Sequence, residues 1–180
     1  MVDTGNSGAY ANLEGHDVRV LGIDFGGVRI GLSVSDPTGT LARPLCTMTP
    51  DGSLEERAAS IGAEATRMAT EPDGLDAIVV GVPRSLDGTA HQQTECVLAF
   101  VEALRTSTSL PVELQDERLT TVEAEQRLAV REPNWRKRKA RLDAASAAVI
   151  LQDYLDRNPR QGLGEEPGSG TGDRGPGEVG

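Results

Sequence analysis

The chain has 180 residues, 37% of them apolar and only 3% aromatic, so its core must rest on Val, Leu, Ile and Ala. That length suits one domain with tails, and no apolar run reaches the ~18–20 residues that a membrane span needs. With 18 Lys and Arg against 28 Asp and Glu the net charge is −10, which taken whole argues against a nucleic-acid binder.

Residues 1–16 are small and polar without periodicity, and residues 158–180 are dominated by Gly, Pro, Ser and acids. Both read as disordered tails around a folded domain at 17–157. Within it, Val18–Phe25 is short and apolar on both faces, as a central strand is. Arg29–Ser35 reads as a second strand, Asp36-Pro37-Thr38-Gly39 as a turn, and Thr40–Leu45 as a third strand, which makes an antiparallel meander. Ser53 and Glu56 form a capping box that opens a helix to Ala69. Ala77–Val82 is a buried strand ended by Pro83, and Thr89 with Gln92 caps a helix running to about Arg105. Val112–Gln115 is a short strand. Thr120 with Glu123 caps a further helix that stops before Pro133, and Leu142–Leu155 is the last helix. Three strands followed by alternating helices and strands imply a mixed α/β sheet with helices on its faces.

The charge is uneven. Residues 131–141 hold Arg131, Arg136, Lys137, Arg138, Lys139 and Arg141 with one acid, Glu132, leaving 12 basic residues and 27 acids elsewhere. A basic cluster is the footprint of phosphate contact, although an isolated one is more often a solvated loop. Residues 1–17 contribute −3 and residues 158–180 −2, so half of the net charge lies outside residues 18–157.

Three acidic positions stand out. Asp24 ends an apolar strand among Gly22, Gly26, Gly27 and Gly31. A buried carboxylate is costly unless it is paired, hydrogen-bonded or metal-bound; a turn-capping Asp explains this one equally well. Asp116-Glu117 follows a strand at a junction where α/β sheets place their sites, though acids there also favour a helix N-terminus. Asp143, in the first turn of the last helix, heads the i, i+4, i+7, i+11 stripe of Asp143, Ala147, Ile150 and Tyr154, which faces the core. Ala144, Ala145, Ala147 and Ala148 let that helix approach the sheet closely, whereas Asp153 and Asp156 read as surface acids. A cluster of inward carboxylates repels itself unless a cation binds it. Oxygen-only donors favour Mg²⁺ or Mn²⁺, and two such ions about 4 Å apart promote phosphodiester cleavage. Two cysteines, Cys46 and Cys96, and two histidines, His16 and His91, offer no zinc site. The loop from Pro83 to Thr89 leads into a helix N-terminus with Arg84 beside it, which suits a phosphate but suits an ordinary capped connection better.

Four segments together, VLGIDFGGVRIGLSVSD, AIVVGVPRSLDGT, LQDERLTTVEA and LDAASAAVILQDYL, resemble the YqgF/RuvX family in order and spacing from about Val18 to Leu155. Members of that family look like Holliday-junction resolvases and are assigned to processing of the 16S rRNA precursor. The resemblance implies an RNase H-like fold: a mixed five-stranded sheet, its first three strands antiparallel, with helices on both faces. It implies metal-dependent phosphodiester hydrolysis in ribosome biogenesis, with structured RNA or branched DNA as partner, in the cytoplasm, as a monomer or homodimer. The catalytic, metal-binding acids then fall on Asp24, Glu117 and Asp143, with Asp116 as an alternative ligand, holding two Mg²⁺ or Mn²⁺ ions. Arg29, Arg84, Asp87, Gly88, Thr89, Arg118 and Thr120 match the motifs without a fixed role, and Arg136, Lys137, Arg138, Lys139 and Arg141 would hold the nucleic-acid backbone. Gly27 departs from the family's usual Thr or Ser, implying a looser turn or a lost hydroxyl contact.

Three other functions stay open on the sequence. They are a resolvase-like DNA endonuclease, a non-catalytic RNA-binding assembly factor, and an actin/hexokinase-like ATP phosphotransferase. Five aromatics, with only Trp135 in the basic run, disfavour a base-stacking platform. Phosphotransferases with an Asp-Gly turn usually need two such lobes.

Overall fold

A computed structural model describes residues 19–83, 90–117 and 135–158. The predicted tails and the predicted helix at Thr120 lie outside the described residues, as do Arg84, Asp87, Gly88, Thr89, Arg118 and Thr120. The described residues form strands β1 (Val20–Phe25), β2 (Ile30–Ser35), β3 (Ala42–Met48), β4 (Ala77–Pro83) and β5 (Val112–Glu117). Their helices are α1 (Leu54–Ala69), α2 (Ala90–Ser107) and α3 (Trp135–Arg157).

The strands make one sheet in the order β3-β2-β1-β4-β5. β1 pairs antiparallel with β2 and β2 antiparallel with β3, while β4 lies parallel to β1 and β5 parallel to β4. This is the RNase H-like arrangement that the resemblance implied. β1 is central because its alternate residues serve two cores. Leu21, Ile23 and Phe25 join Ile30, Leu32, Ile78, Val80 and the buried faces of α1 and α2. Val20 faces the other way with Ala77, Val79 and the α3 residues Ile150, Leu151 and Tyr154. Helices therefore cover both faces. On the α1–α2 side the rings of Phe25 and Phe100 stack with centroids 4.2 Å apart.

α1 begins as the capping box requires: the Ser53 hydroxyl accepts from the Glu56 amide, and the Glu56 carboxylate accepts from the Ser53 amide. The β2–β3 turn is organised by Asp36, whose carboxylate accepts from the amides of Thr40 and Leu41 and from the hydroxyls of Thr38 and Thr40. Gly39 supplies the positive φ that the turn needs.

Several boundaries differ from the sequence expectation. β3 starts two residues later and runs to Met48. Its pairing with β2 shifts between Leu32 and Ser33, leaving Leu45 as an extra residue without a cross-strand partner. β4 ends at Pro83 as expected, with Pro83 itself its last residue, opposite Glu117 of the edge strand β5. β5 continues through Asp116 and Glu117, so these acids end the strand instead of following it. α3 starts at Trp135, seven residues before the expected Leu142. The basic run from Arg136 to Arg141 is therefore helical, and Asp143 lies about 12 Å along the helix instead of in its first turn. Helix-favouring Arg, Lys and Ala residues extend the helix N-terminally without the apolar periodicity that marks a core-facing segment.

α3 sits on a floor of small residues. A Cβ on Gly22 would come within 2.7 Å of Leu151 Cβ, one on Gly81 would meet Ile150 Cδ1, and one on Gly31 would collide with the Asp143 carbonyl. The Ser33 hydroxyl donates to the Ala147 carbonyl over 2.8 Å, and Tyr154 donates to Glu113 over 2.8 Å. The Gln152 amide both accepts from the Ala42 amide and donates to the Thr40 carbonyl, tying the helix to the edge strand.

Two tests follow. Gly31→Ala is expected to lower stability by about 3 kcal/mol in urea unfolding, since backbone must move, whereas Gly27→Ala, with nothing near its Cβ position, should be neutral. Partial burial alone would raise the Asp36 pKa, but hydrogen bonds from Leu41, Thr38 and Thr40 outweigh it and lower the carboxyl from 3.8 to about 2. A carboxyl depressed on folding stabilises above its unfolded pKa and loses that contribution as pH falls through the folded value. The stability gap between wild type and Asp36→Ala should therefore narrow from pH 4 to pH 2 in acid-series thermal melts.

Candidate active site

The sheet places Asp24 between two glycines. Gly31 is its partner on β2, and on the β4 side Gly81 lies one step beyond the Ile23–Val80 pair. Strand alternation puts Asp24 on the α3 face with Val20 and Gly22. Asp24 is half-buried, so it is neither the fully buried acid of a central strand nor a free surface group. Directly over Gly31 runs the α3 backbone at Asp143. Asp24 and Asp143 are thus neighbours across one glycine, although 119 positions separate them in the chain.

The remaining candidates are sorted by the register. On β5, Glu113 meets Tyr154 of α3, and Gln115 is buried two residues further on. Position 117 has the same parity as these, so its place in the strand belongs to the α3 face at the strand's end. Asp116 has the opposite parity and is exposed, with a partner of its own. The strand geometry therefore favours position 117 over Asp116 as the third acid. Among the described side chains no three acids, histidines or cysteines gather in a metal-binding group; the Glu117 side chain lies outside them. The donor set that is described, two carboxylates on one face, consists of hard oxygen and suits Mg²⁺ or Mn²⁺ better than zinc.

Arg29 gains a place that the motif match left undefined. Its Nε donates to Asp143 Oδ2, joining the start of β2 to α3, with the side chains 27% and 22% exposed. At that exposure the pair is worth more than a surface ion pair, and it holds the Asp143 carboxylate in one orientation.

Arg57 of α1 was not singled out from the sequence. Its two terminal nitrogens donate to the carbonyls of Gly27 and Gly26 over 2.9 and 3.1 Å, and its guanidinium lies 5.0 Å from the Phe25 ring centroid. It clamps the turn that immediately follows Asp24. Gly26 donates to the Arg29 carbonyl across the same turn, and a Cβ on Gly26 would come within 2.6 Å of that oxygen. The turn is held from α1 rather than loosened by Gly27, whose Cβ position is open and would accept the family's Thr or Ser. No motif announced Arg57, because in sequence it is one more charge on an amphipathic helix. Of the basic run, Arg141 is the residue whose side chain is described; it is exposed and has a partner.

Carboxylates carried by a central strand and by a helix packed across it, over a glycine floor, make this face of the mixed α/β sheet the candidate site. Residues 18–157 match the family described as "RuvX: Holliday junction resolvase". A protein of Geobacillus thermodenitrificans named "Putative pre-16S rRNA nuclease" is 40% identical over 139 residues, covering 77% of this chain and 98% of the relative. An equally named protein of Anaeromyxobacter dehalogenans is 41% identical over 140 residues, covering 78% and 98%. Among solved structures, T. thermophilus RuvC in complex with Holliday junction substrate is similar at 18% identity and a TM-score of 0.44, covering 79% of this chain and 96% of that one. The chain belongs to the RuvX family. Among the described residues, no helix is long and apolar enough to cross a membrane.

The ion pair can be tested in isolation. Arg29→Ala should cost about 2 kcal/mol in urea unfolding at neutral pH, and adding Asp143→Ala should cost little more, because the second change removes a carboxylate already unpaired. Additive losses would show that the two side chains do not act as a pair. Arg57→Ala should lose about 2 kcal/mol through two hydrogen bonds and the contact with Phe25.

Proposed function

We propose that this protein is a metal-dependent nuclease that hydrolyses phosphodiester bonds of the 16S rRNA precursor. The observation that carries the proposal is the placement of Asp24 and Asp143 on either side of Gly31, on the sheet face where position 117 also falls. Membership of the RuvX family and the names of its 40%-identical relatives support it.

Asp24, Asp143 and Glu117 would hold the cation or cation pair, with Asp116 turned to the opposite face. When bound, Mg²⁺ or Mn²⁺ would supply Lewis acidity at the scissile phosphate and neutralise its charge. The protein's own part is orientation. Arg29 fixes the Asp143 carboxylate from one side and leaves its other oxygen for a cation. Arg57 fixes the turn behind Asp24. Arg136, Lys137, Arg138, Lys139 and Arg141 precede Asp143 on the same helix and would hold the flanking phosphates. Because three of the domain's acids serve as ligands, the net charge of −10 does not exclude nucleic acid. It predicts binding that depends on metal and weakens with salt.

The family's description also fits cleavage of a four-way DNA junction, which presents the same phosphate chemistry. Labelled precursor rRNA and a labelled junction, each incubated with Mg²⁺, distinguish the two by which is cut. Asp24→Asn should slow cleavage of the preferred substrate by on the order of 100-fold. A mutant that cuts as fast as wild type rules out the carboxylate site.

A further inference from the structure

Beside the carboxylates, the edge strand β3 and the helix α3 leave a groove of about 450 Å³ between them. It is lined by Pro44, Leu45, Cys46, Thr47, Arg141 and the Ala144–Ala145 pair. Its position follows from the register. Thr47 pairs with Gly31, and Gly31 pairs with Asp24, so the groove's Thr47 end lies level with the catalytic acid and two strands away. Its helical wall is the turn that contains Asp143. The groove thus adjoins the candidate site through Thr47 and Ala144.

Two features shape it. The irregularity in β3 releases Leu45 from cross-strand pairing, and that side chain stays 43% exposed at the groove. Ala144 and Ala145 keep the helical wall low, so the space is not filled from that side. The lining is mostly apolar with one cation, Arg141, at the end of a helix segment that carries four more cations. An apolar floor with a cationic rim complements a nucleotide, whose flat base or ribose is apolar on its faces and whose phosphate is anionic.

We infer that the groove seats one unpaired nucleotide of the substrate, next to the phosphate held at Asp24 and Asp143, with Arg141 on that nucleotide's phosphate. This rests on the nuclease reading and adds to it that the strand must be single at this point. A base inside a duplex cannot reach an apolar groove without leaving its stack. Among the described residues no aromatic lines the groove, so recognition is by apolar contact and is tolerant of base identity.

A thiol introduced by Ala145→Cys in the helical wall of the groove makes the test direct, with the two free, exposed cysteines as internal controls: Cys46 pairs with Leu32 and so faces the α1–α2 side of the sheet, where Cys96 of α2 also lies. The full-length Ala145→Cys variant is alkylated with iodoacetamide, and each cysteine is followed by peptide mass spectrometry. The probe is a fluorescein-labelled single-stranded oligoribonucleotide with Ca²⁺ in place of Mg²⁺, and its binding is verified by anisotropy. The saturated complex should alkylate the thiol at position 145 about fivefold more slowly and leave the Cys46 and Cys96 rates unchanged. Leu45→Glu and Arg141→Ala should each weaken the single strand about tenfold while melting like wild type. An oligodeoxyribonucleotide of the same sequence shows whether the sugar matters, and equal protection by it retains the groove as a seat for either strand type. Unchanged labelling at position 145 in a verified complex, or equal protection by a blunt duplex, overturns the groove assignment but leaves the nuclease reading standing. Failure to bind any nucleic acid overturns the nuclease reading and the groove with it.

Discussion

The seating of α3 on a glycine-lined sheet face is the constraint on which the site depends. Gly22, Gly31 and Gly81 lie on three adjacent strands and face the same helix. A methyl group at Gly31 would meet the Asp143 backbone, so the helix can lie this low only because that strand position carries no Cβ. Ala144 and Ala147 supply the matching small surface on the helix. Close approach of backbones also brings the Ser33 hydroxyl within reach of a helix carbonyl. The result is that a carboxylate-bearing residue of a long helix and one of the central strand flank a single glycine on the same face of the sheet.

Orientation is then imposed from both faces of the sheet. Arg29, just before β2, holds Asp143, while Arg57 reaches from α1 to the two glycine carbonyls behind Asp24. Each arginine spends its hydrogen bonds on geometry: one on a carboxylate oxygen, the other on a turn that offers only carbonyls. The stack of Phe25 on Phe100 beneath Arg57 links the turn to the larger core. Rigidity at the turn therefore comes from the fold, where Gly26-Gly27 alone would leave the chain conformationally free. The groove between β3 and α3 arises from the same geometry, because alanines that permit close seating over β1 and β2 leave space over the more distant edge strand.

Much of the secondary structure was legible in the sequence. The Ser53–Glu56 capping box marks the start of α1, since both of its hydrogen bonds are local. The two-sided apolar character of Val20–Phe25 marks a central strand, because only a strand covered on both faces loses its alternation. The stripe from Asp143 through Ala147 and Ile150 to Tyr154 marks the buried face of α3. Boundaries were less legible where no local signal exists. The basic run carries no apolar period, so its helix was missed. The extension of β5 to Glu117 depends on pairing with Pro83 of β4, which is a contact between distant segments. The bulge at Leu45 leaves no trace in composition or pattern.

By itself, then, the sequence determined the α/β class, the central strand, the order of the motifs and the identity of the candidate acids. These depend on local propensity, hydrophobic period and residue chemistry, which are carried by neighbours in the chain. Only the tertiary structure decided that Asp24 and Asp143 share one glycine, that position 117 and not Asp116 lies on their face, and that Arg29 and Arg57 hold the site in place. Those outcomes depend on strand register and on how closely a helix can approach a sheet. Both are set by contacts between residues far apart in sequence, where a single Cβ or a shift of one residue changes which side chains meet.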